Sequence, residues 1–185
     1  MPLPAEADHY QVFGLPRRLD LDLDVLSRRY YELSRLLHPD QHTTGAIEAR
    51  QASTQNTAAL TRAYRCLRDP VCRALYWLEL HGEKLGDDNK VPPAMAALVF
   101  EVQEKLEELR AAKGAAREPL AAAAREELAQ LERQCEALMQ QVETNARAWD
   151  NSAVDAPALL RELKSLLSRR AYLATLIRDV GRALN

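Results

Sequence analysis

The densest run of chemically capable side chains is His38-Pro39-Asp40-Gln41-His42, where imidazole and carboxylate alternate. Both are competent metal ligands. Pro39 restricts how they could converge, however, and the four histidines of the chain form no second cluster. No metal site is expected, and His42 reads as an ordinary loop residue. No glycine-rich phosphate loop, nucleophile elbow or cysteine with a suitably placed histidine occurs elsewhere. The chain reads as a protein without catalytic chemistry or cofactor of its own. Taken alone, His38-Pro39-Asp40 is a proline-stopped helix followed by a turn in which Asp40 bonds its own backbone.

The elements around that loop give it more meaning. Asp8 is placed to cap a short helix through Phe13, which Gly14 ends and Pro16 keeps from resuming. A second helix starts near Asp22 or Asp24 and aligns Leu26, Tyr30, Leu33 and Leu37 on one stripe. Its other face carries Arg28, Glu32 and Arg35, with Arg29 nearer the stripe. Pro39 stops it at His38, and a polar loop, 38–45, follows. A third helix, from about Ile47 to Leu67, turns Ala52, Ala59, Leu60, Ala63, Tyr64 and Leu67 back towards the second. Asp69-Pro70 ends it, and a fourth runs from Val71 to Leu80 before His81-Gly82.

The stretch 82–93 is polar and turn-forming and links two modules. The next helix spans about Ala94 to Lys113 and buries Met95, Leu98, Val102, Leu106 and Leu109. Another runs from about Pro119 to Trp149, with Leu120, Ala124, Leu131, Cys135, Leu138, Val142 and Trp149 on its stripe. The last follows Asp155-Ala156-Pro157 and aligns Leu159, Leu163, Leu166, Leu173, Ile177, Val180 and Leu184. Three such stripes can close a helical bundle. The fold class is all-α: a helical hairpin with its loop, then a three-helix bundle, divided as 1–76, a connecting segment 77–91, and 92–185.

Composition narrows the function. At 47% hydrophobic and 28% charged residues the chain is an ordinary globular one, and a net charge of -2 argues against nucleic acid as a partner. No stretch approaches the roughly 20 apolar residues of a membrane span, so a cytoplasmic protein is expected. Cys66, Cys72 and Cys135 are odd in number and lie in helical sequence, which suggests neither a disulfide framework nor a zinc site.

Set in its whole segment, the loop resembles that of a J domain. Asp8-His9-Tyr10-Gln11-Val12-Phe13-Gly14-Leu15-Pro16 resembles the opening of the HscB subfamily of J-domain co-chaperones. Ala63-Tyr64, Leu67-Arg68-Asp69-Pro70, Arg73-Ala74-Leu75-Tyr76 and His81-Gly82 are similar to its third helix and exit. The resemblance runs essentially end to end and implies a bacterial-type member. It implies that His38, Pro39 and Asp40, with Arg28, Arg29 and Arg35, engage a DnaK-class chaperone of the HscA type and stimulate its ATPase. Physically, Pro39 would preorganise the loop, and the arginines would steer it to an acidic surface. Helix stability alone is an equal account of Arg29.

On the first bundle helix Phe100 lies nearly opposite the apolar stripe, so it cannot serve the same core. Phe100, Glu104 and Glu107 fall at i, i+4 and i+7, flanked by Val99 and Gln103. They form either a contact with the first module or an anchor for a partner. The resemblance implies the second, with these residues binding the iron-sulfur scaffold IscU. Gln103 stands where an apolar residue is common, and Ser165 where an aromatic is. Two rivals remain: a general J protein with another client, and a helical adaptor in which His38-Pro39-Asp40 is only a turn.

Overall fold

The structure, a computed structural model, describes residues 7–37, 47–85, 93–151 and 156–185. Helix α1 (His9–Phe13) is short, and local bonds define both its ends. Asp8 accepts the Gln11 amide at 2.8 Å while Gln11 Oε1 accepts the Asp8 amide at 3.0 Å, a reciprocal cap. Gly14 closes it at φ 62°, a conformation that penalises any Cβ. So short a helix needs tertiary support, which the burial of Tyr10, Val12 and Phe13 provides.

Helix α2 (Leu23–Leu37) starts where Asp22 Oδ1 accepts the amides of Asp24 and Val25. Its stripe is the expected one: Leu26 and Leu37 are buried, Tyr30 and Leu33 half-buried. Helix α3 (Ile47–Arg68) faces it with Leu60, Ala63 and Leu67. The pair is antiparallel, since Ser27 meets Tyr64 while the Leu37 carbonyl meets Thr57 further back along α3. The Tyr30 and Tyr64 rings stack at 4.1 Å between them.

Asp69-Pro70 ends α3 and also starts α4 (Pro70–Leu80). Asp69 caps the new helix by accepting the Cys72 amide at 2.6 Å, and Pro70 occupies a first-turn position where its missing amide proton costs nothing. This corner overturns the expectation for the cysteines: Cys66 and Cys72 form a disulfide, with Cα atoms 5.0 Å apart. The break reverses the chain so that the last turn of α3 faces the first turn of α4. Cys135 is free and half-buried on the bundle.

After a 3-10 turn at Pro93–Met95 come α5 (Ala96–Ala111), α6 (Arg117–Asn151) and α7 (Ala156–Leu184). Helix α5 is shorter than its periodicity predicts, because its first residues wind as the 3-10 turn and Ala112 is extended at ψ 138°. Met95, Val102, Leu106 and Leu109 are buried as expected. Helix α7 buries Leu163, Leu166, Leu173 and Val180 and, beyond the expected stripe, Leu167 and Leu176. Helix α7 packs on α4 as well as on α5 and α6. The buried apolar residues form one cluster running from Tyr10 to Val180. The fold is all-α, with no strand among the described residues.

Candidate functional site

Helix α2 presents its cations outward. Arg28, Arg29 and Arg35 are all exposed, Arg28 and Arg35 on the side of the helix away from Leu26 and Leu37 and Arg29 at the flank of that stripe. Arg29 Nη1 lies 3.2 Å from Glu32 Oε2, so this arginine is engaged along its own helix surface. Such an exposed i, i+3 pair adds only about 0.3–0.5 kcal/mol. Arg28 and Arg35 have no ion-pair partner among the described residues. His38, Pro39 and Asp40 lie outside the described residues, as does His42. The two helices that carry the loop are described, and the stacked tyrosines and the bond from Ser27 to Tyr64 hold them together.

On the bundle, Phe100 is 70% exposed, while Val102, Leu106 and Leu109 on the opposite side of α5 are buried. It is not packed into the first module. Val99 and Gln103 are half-buried at its flanks, and Glu104 and Glu107 are exposed. Neither glutamate has an ion-pair partner among the described residues, and the nearby Lys105 is taken by Glu127 of α6. That hydrogen-bonded carboxylate holds the Lys105 ammonium above its ordinary range against the small opposing effect of burial. The result is one large apolar ring beside a bare acidic ridge. Ser165 is exposed on α7.

A junction built by residues that sequence reasoning did not assign connects the two halves. Arg73 of α4 is 8% exposed, and its guanidinium donates from Nε to the Leu19 carbonyl at 2.9 Å and from Nη1 to the Leu67 carbonyl at 2.6 Å. Burial lowers its pKa, and the nearby Tyr10, Asp20, Glu143 and Asp69 oppose that shift. Tyr10 donates its hydroxyl to the Arg18 carbonyl at 2.9 Å, and burial pushes its pKa upward. The segment pinned in this way offers the amides of Leu19 and Asp20 to the Asp150 carboxylate of α6, at 3.2 and 2.7 Å. Arg147 stands 3.7 Å from Asp20. Trp77 of α4 meets Trp149 of α6 edge-on at 6.2 Å, and Lys164 of α7 pairs with Glu83 at 2.7 Å. The one signal in the sequence was an arginine among the apolar residues of α4; Asp150, beside Arg147 and Glu143 on its own helix, carried none.

Residues 8–76 match the model of the family described as the DnaJ domain, a span that contains His38-Pro39-Asp40. Two solved structures share the whole architecture. The chaperone HscB from Vibrio cholerae is 24% identical with a TM-score of 0.68, covering 95% of this chain and 96% of its own. The human co-chaperone protein HscB is 21% identical with a TM-score of 0.69, covering 98% of this chain and 84% of its own. No helix among the described residues is long and apolar enough to cross a membrane. Residues 8–76 therefore match the DnaJ domain, and the chain as a whole has the two-part fold seen in these two HscB structures.

Proposed function

We propose that this chain is a non-enzymatic co-chaperone that stimulates the ATPase of a DnaK-class chaperone of the HscA type and delivers the iron-sulfur scaffold IscU to it. In this reading 1–76 is the chaperone-stimulating module and 92–185 the scaffold-binding one, with 77–91 between them. The observation that carries it is the pairing, in one chain, of a DnaJ domain with a bundle helix that exposes Phe100 opposite its buried stripe.

Each group has a physical role. His38 and Asp40, stiffened by Pro39, engage the ATPase with little conformational entropy left to lose. Arg28, Arg29 and Arg35 supply the field that steers the loop to an acidic surface, which raises the association rate more than the affinity. On α5, Phe100 and Val99 are the apolar anchor for the scaffold, and Gln103, Glu104 and Glu107 are its polar rim. ATP is hydrolysed by the partner. The chain acts by holding a client at an ATPase it has just triggered, which raises the local concentration of the one at the other.

The test is steady-state ATPase of the chaperone with this protein, with and without scaffold, for wild type, Asp40→Asn and Phe100→Ala. The expected result is loss of all stimulation in Asp40→Asn and loss of the scaffold-dependent increment alone in Phe100→Ala. Normal stimulation by Asp40→Asn would show that His38-Pro39-Asp40 is only a turn. Wild-type synergy in Phe100→Ala would move the client surface elsewhere and favour a J protein with a different client.

A further inference from the structure

Cys66 and Cys72 face each other across the corner between α3 and α4, their Cα atoms 5.0 Å apart, within the usual span of a bridged pair. Groups other than the sulfurs also hold that corner. The Asp69 side chain accepts the Cys72 amide at 2.6 Å, and the Asp69 carbonyl accepts the Arg73 amide at 2.9 Å. Arg73 reaches back over the corner to the Leu67 carbonyl. With a sequence separation of 6, the bridge closes a short loop and lies at the low end of what a disulfide contributes through the unfolded chain. Both cysteines are half-buried, whereas the adjoining Leu67 and Arg73 are buried, so the pair lies at the edge of the core. Within four residues of either cysteine the one acid is Asp69, against the exposed Arg62, Arg65 and Arg68 and the buried Arg73. Such surroundings favour the approach of an anionic thiolate.

We infer that Cys66 and Cys72 are a reversible thiol–disulfide exchange site for a small thiol of the glutathione class, and that their state sets how firmly the first turn of α4 is held. A thiolate from solution attacks one sulfur of the bridge and displaces the other cysteine as a thiolate, leaving a mixed disulfide on the chain. A second thiolate attacks the small-molecule sulfur of that mixed disulfide and displaces the remaining cysteine. The bridge is reduced by two electrons, the two small thiols are oxidised to one disulfide, and their two protons end on Cys66 and Cys72. The reverse sequence closes the bridge, and the cap at Asp69 and the bond from Arg73 keep the two helix turns together for it.

Arg73 gives the exchange a consequence. It follows Cys72 directly, and its Nε donates to the Leu19 carbonyl, while the Leu19 and Asp20 amides are held by Asp150 of α6. Opening the first turn of α4 withdraws Arg73 from the segment that Asp150 clamps. The oxidised pair therefore ties residues 8–76 to the bundle more firmly than the reduced pair does, whichever chaperone or client the protein serves.

The experiment holds full-length protein in mixtures of reduced and oxidised glutathione, reads the bridge by alkylation and peptide mass, and follows amide hydrogen exchange of the same samples by NMR. The bridge is expected to open in excess reduced glutathione while the protein stays folded, and to re-form when oxidised glutathione is restored. On opening, the Cys72 and Arg73 amides exchange roughly tenfold faster, and the Leu19 and Asp20 amides follow by at least about threefold. Cys66→Ser/Cys72→Ser exchanges at the faster rate in every mixture. If that variant does not fold, the wild-type comparison decides by itself. A bridge that stays closed in excess reduced glutathione is a purely structural bond and overturns the inference. Unchanged exchange of those four amides after opening overturns it as well. So does a glutathione response that persists in the double variant, which would trace the effect to Cys135.

Discussion

The carboxylate of Asp150, at the end of α6, accepts the backbone amide of Asp20 at 2.7 Å and, with its other oxygen, that of Leu19 at 3.2 Å. One side chain of the bundle thereby holds the segment between α1 and α2. That segment is itself bonded to Arg73 of α4, which places the DnaJ domain and the α5 surface in one fixed relation. The proposed function requires such a relation, because effective concentration falls when geometry forbids simultaneous engagement.

Replacing Asp150 by Ala removes two charge-assisted hydrogen bonds and leaves two amides to find water. The expected loss is about 1.5–3 kcal/mol of unfolding free energy, with Asp150→Asn losing less because its carbonyl oxygen still accepts. Urea unfolding measures the loss. The near-ultraviolet dichroism of Trp77 and Trp149 should change with it, since their edge contact lies beside the clamp.

Arg73→Met should cost more, about 3–4 kcal/mol, because the Leu19 and Leu67 carbonyls would both lose their donor inside the fold. Arg73→Lys is intermediate: an ammonium is a point donor and cannot span two carbonyls as the planar guanidinium does. Denaturation midpoints of the three proteins should fall in the order Arg, Lys, Met.

The disulfide between Cys66 and Cys72 closes a short loop, with a sequence separation of 6. Loop-closure entropy for so few residues sets its contribution at about 2–2.5 kcal/mol. Adding reductant should lower the melting temperature modestly in wild type and leave Cys66→Ser/Cys72→Ser unchanged. Alkylation under non-reducing conditions followed by mass measurement should label Cys135 alone.

His9 sits against Tyr76, ring to ring at 4.1 Å, with its backbone amide donating to the Tyr76 hydroxyl at 3.0 Å. Burial lowers its pKa, with Asp8 and Glu79 opposing and Arg62 assisting. The folded state therefore resists protonation more than the unfolded state does. This contribution is fully present above the ordinary imidazole value, about 6.5, and is lost as pH falls from there through the lower folded-state value. His9→Phe keeps the stacking and should flatten the decline in stability over that window in a pH series of urea unfolding curves.

Much of the helical framework was legible in the residues alone. The cap at Asp8, the left-handed Gly14, the stripe of α2 and the break at Asp69-Pro70 are set by short-range bonds and steric limits, which depend on neighbours a few positions away. The isolation of Phe100 from the α5 stripe was legible for the same reason, since 3.6 residues per turn fixes which side chains share a face. Periodicity reports a side chain's angle around its own helix axis and says nothing of which element lies opposite. Only the tertiary structure decided that α7 would bury Leu167 and Leu176 beyond its periodic stripe, or that the corner after α3 would bring Cys66 onto Cys72. The same limit hid Arg73 and Asp150. Burying a guanidinium or clamping with a carboxylate is favourable only where remote carbonyls and amides converge on it, and those partners, Leu19, Asp20 and Leu67, come from separate stretches of chain that folding alone brings together.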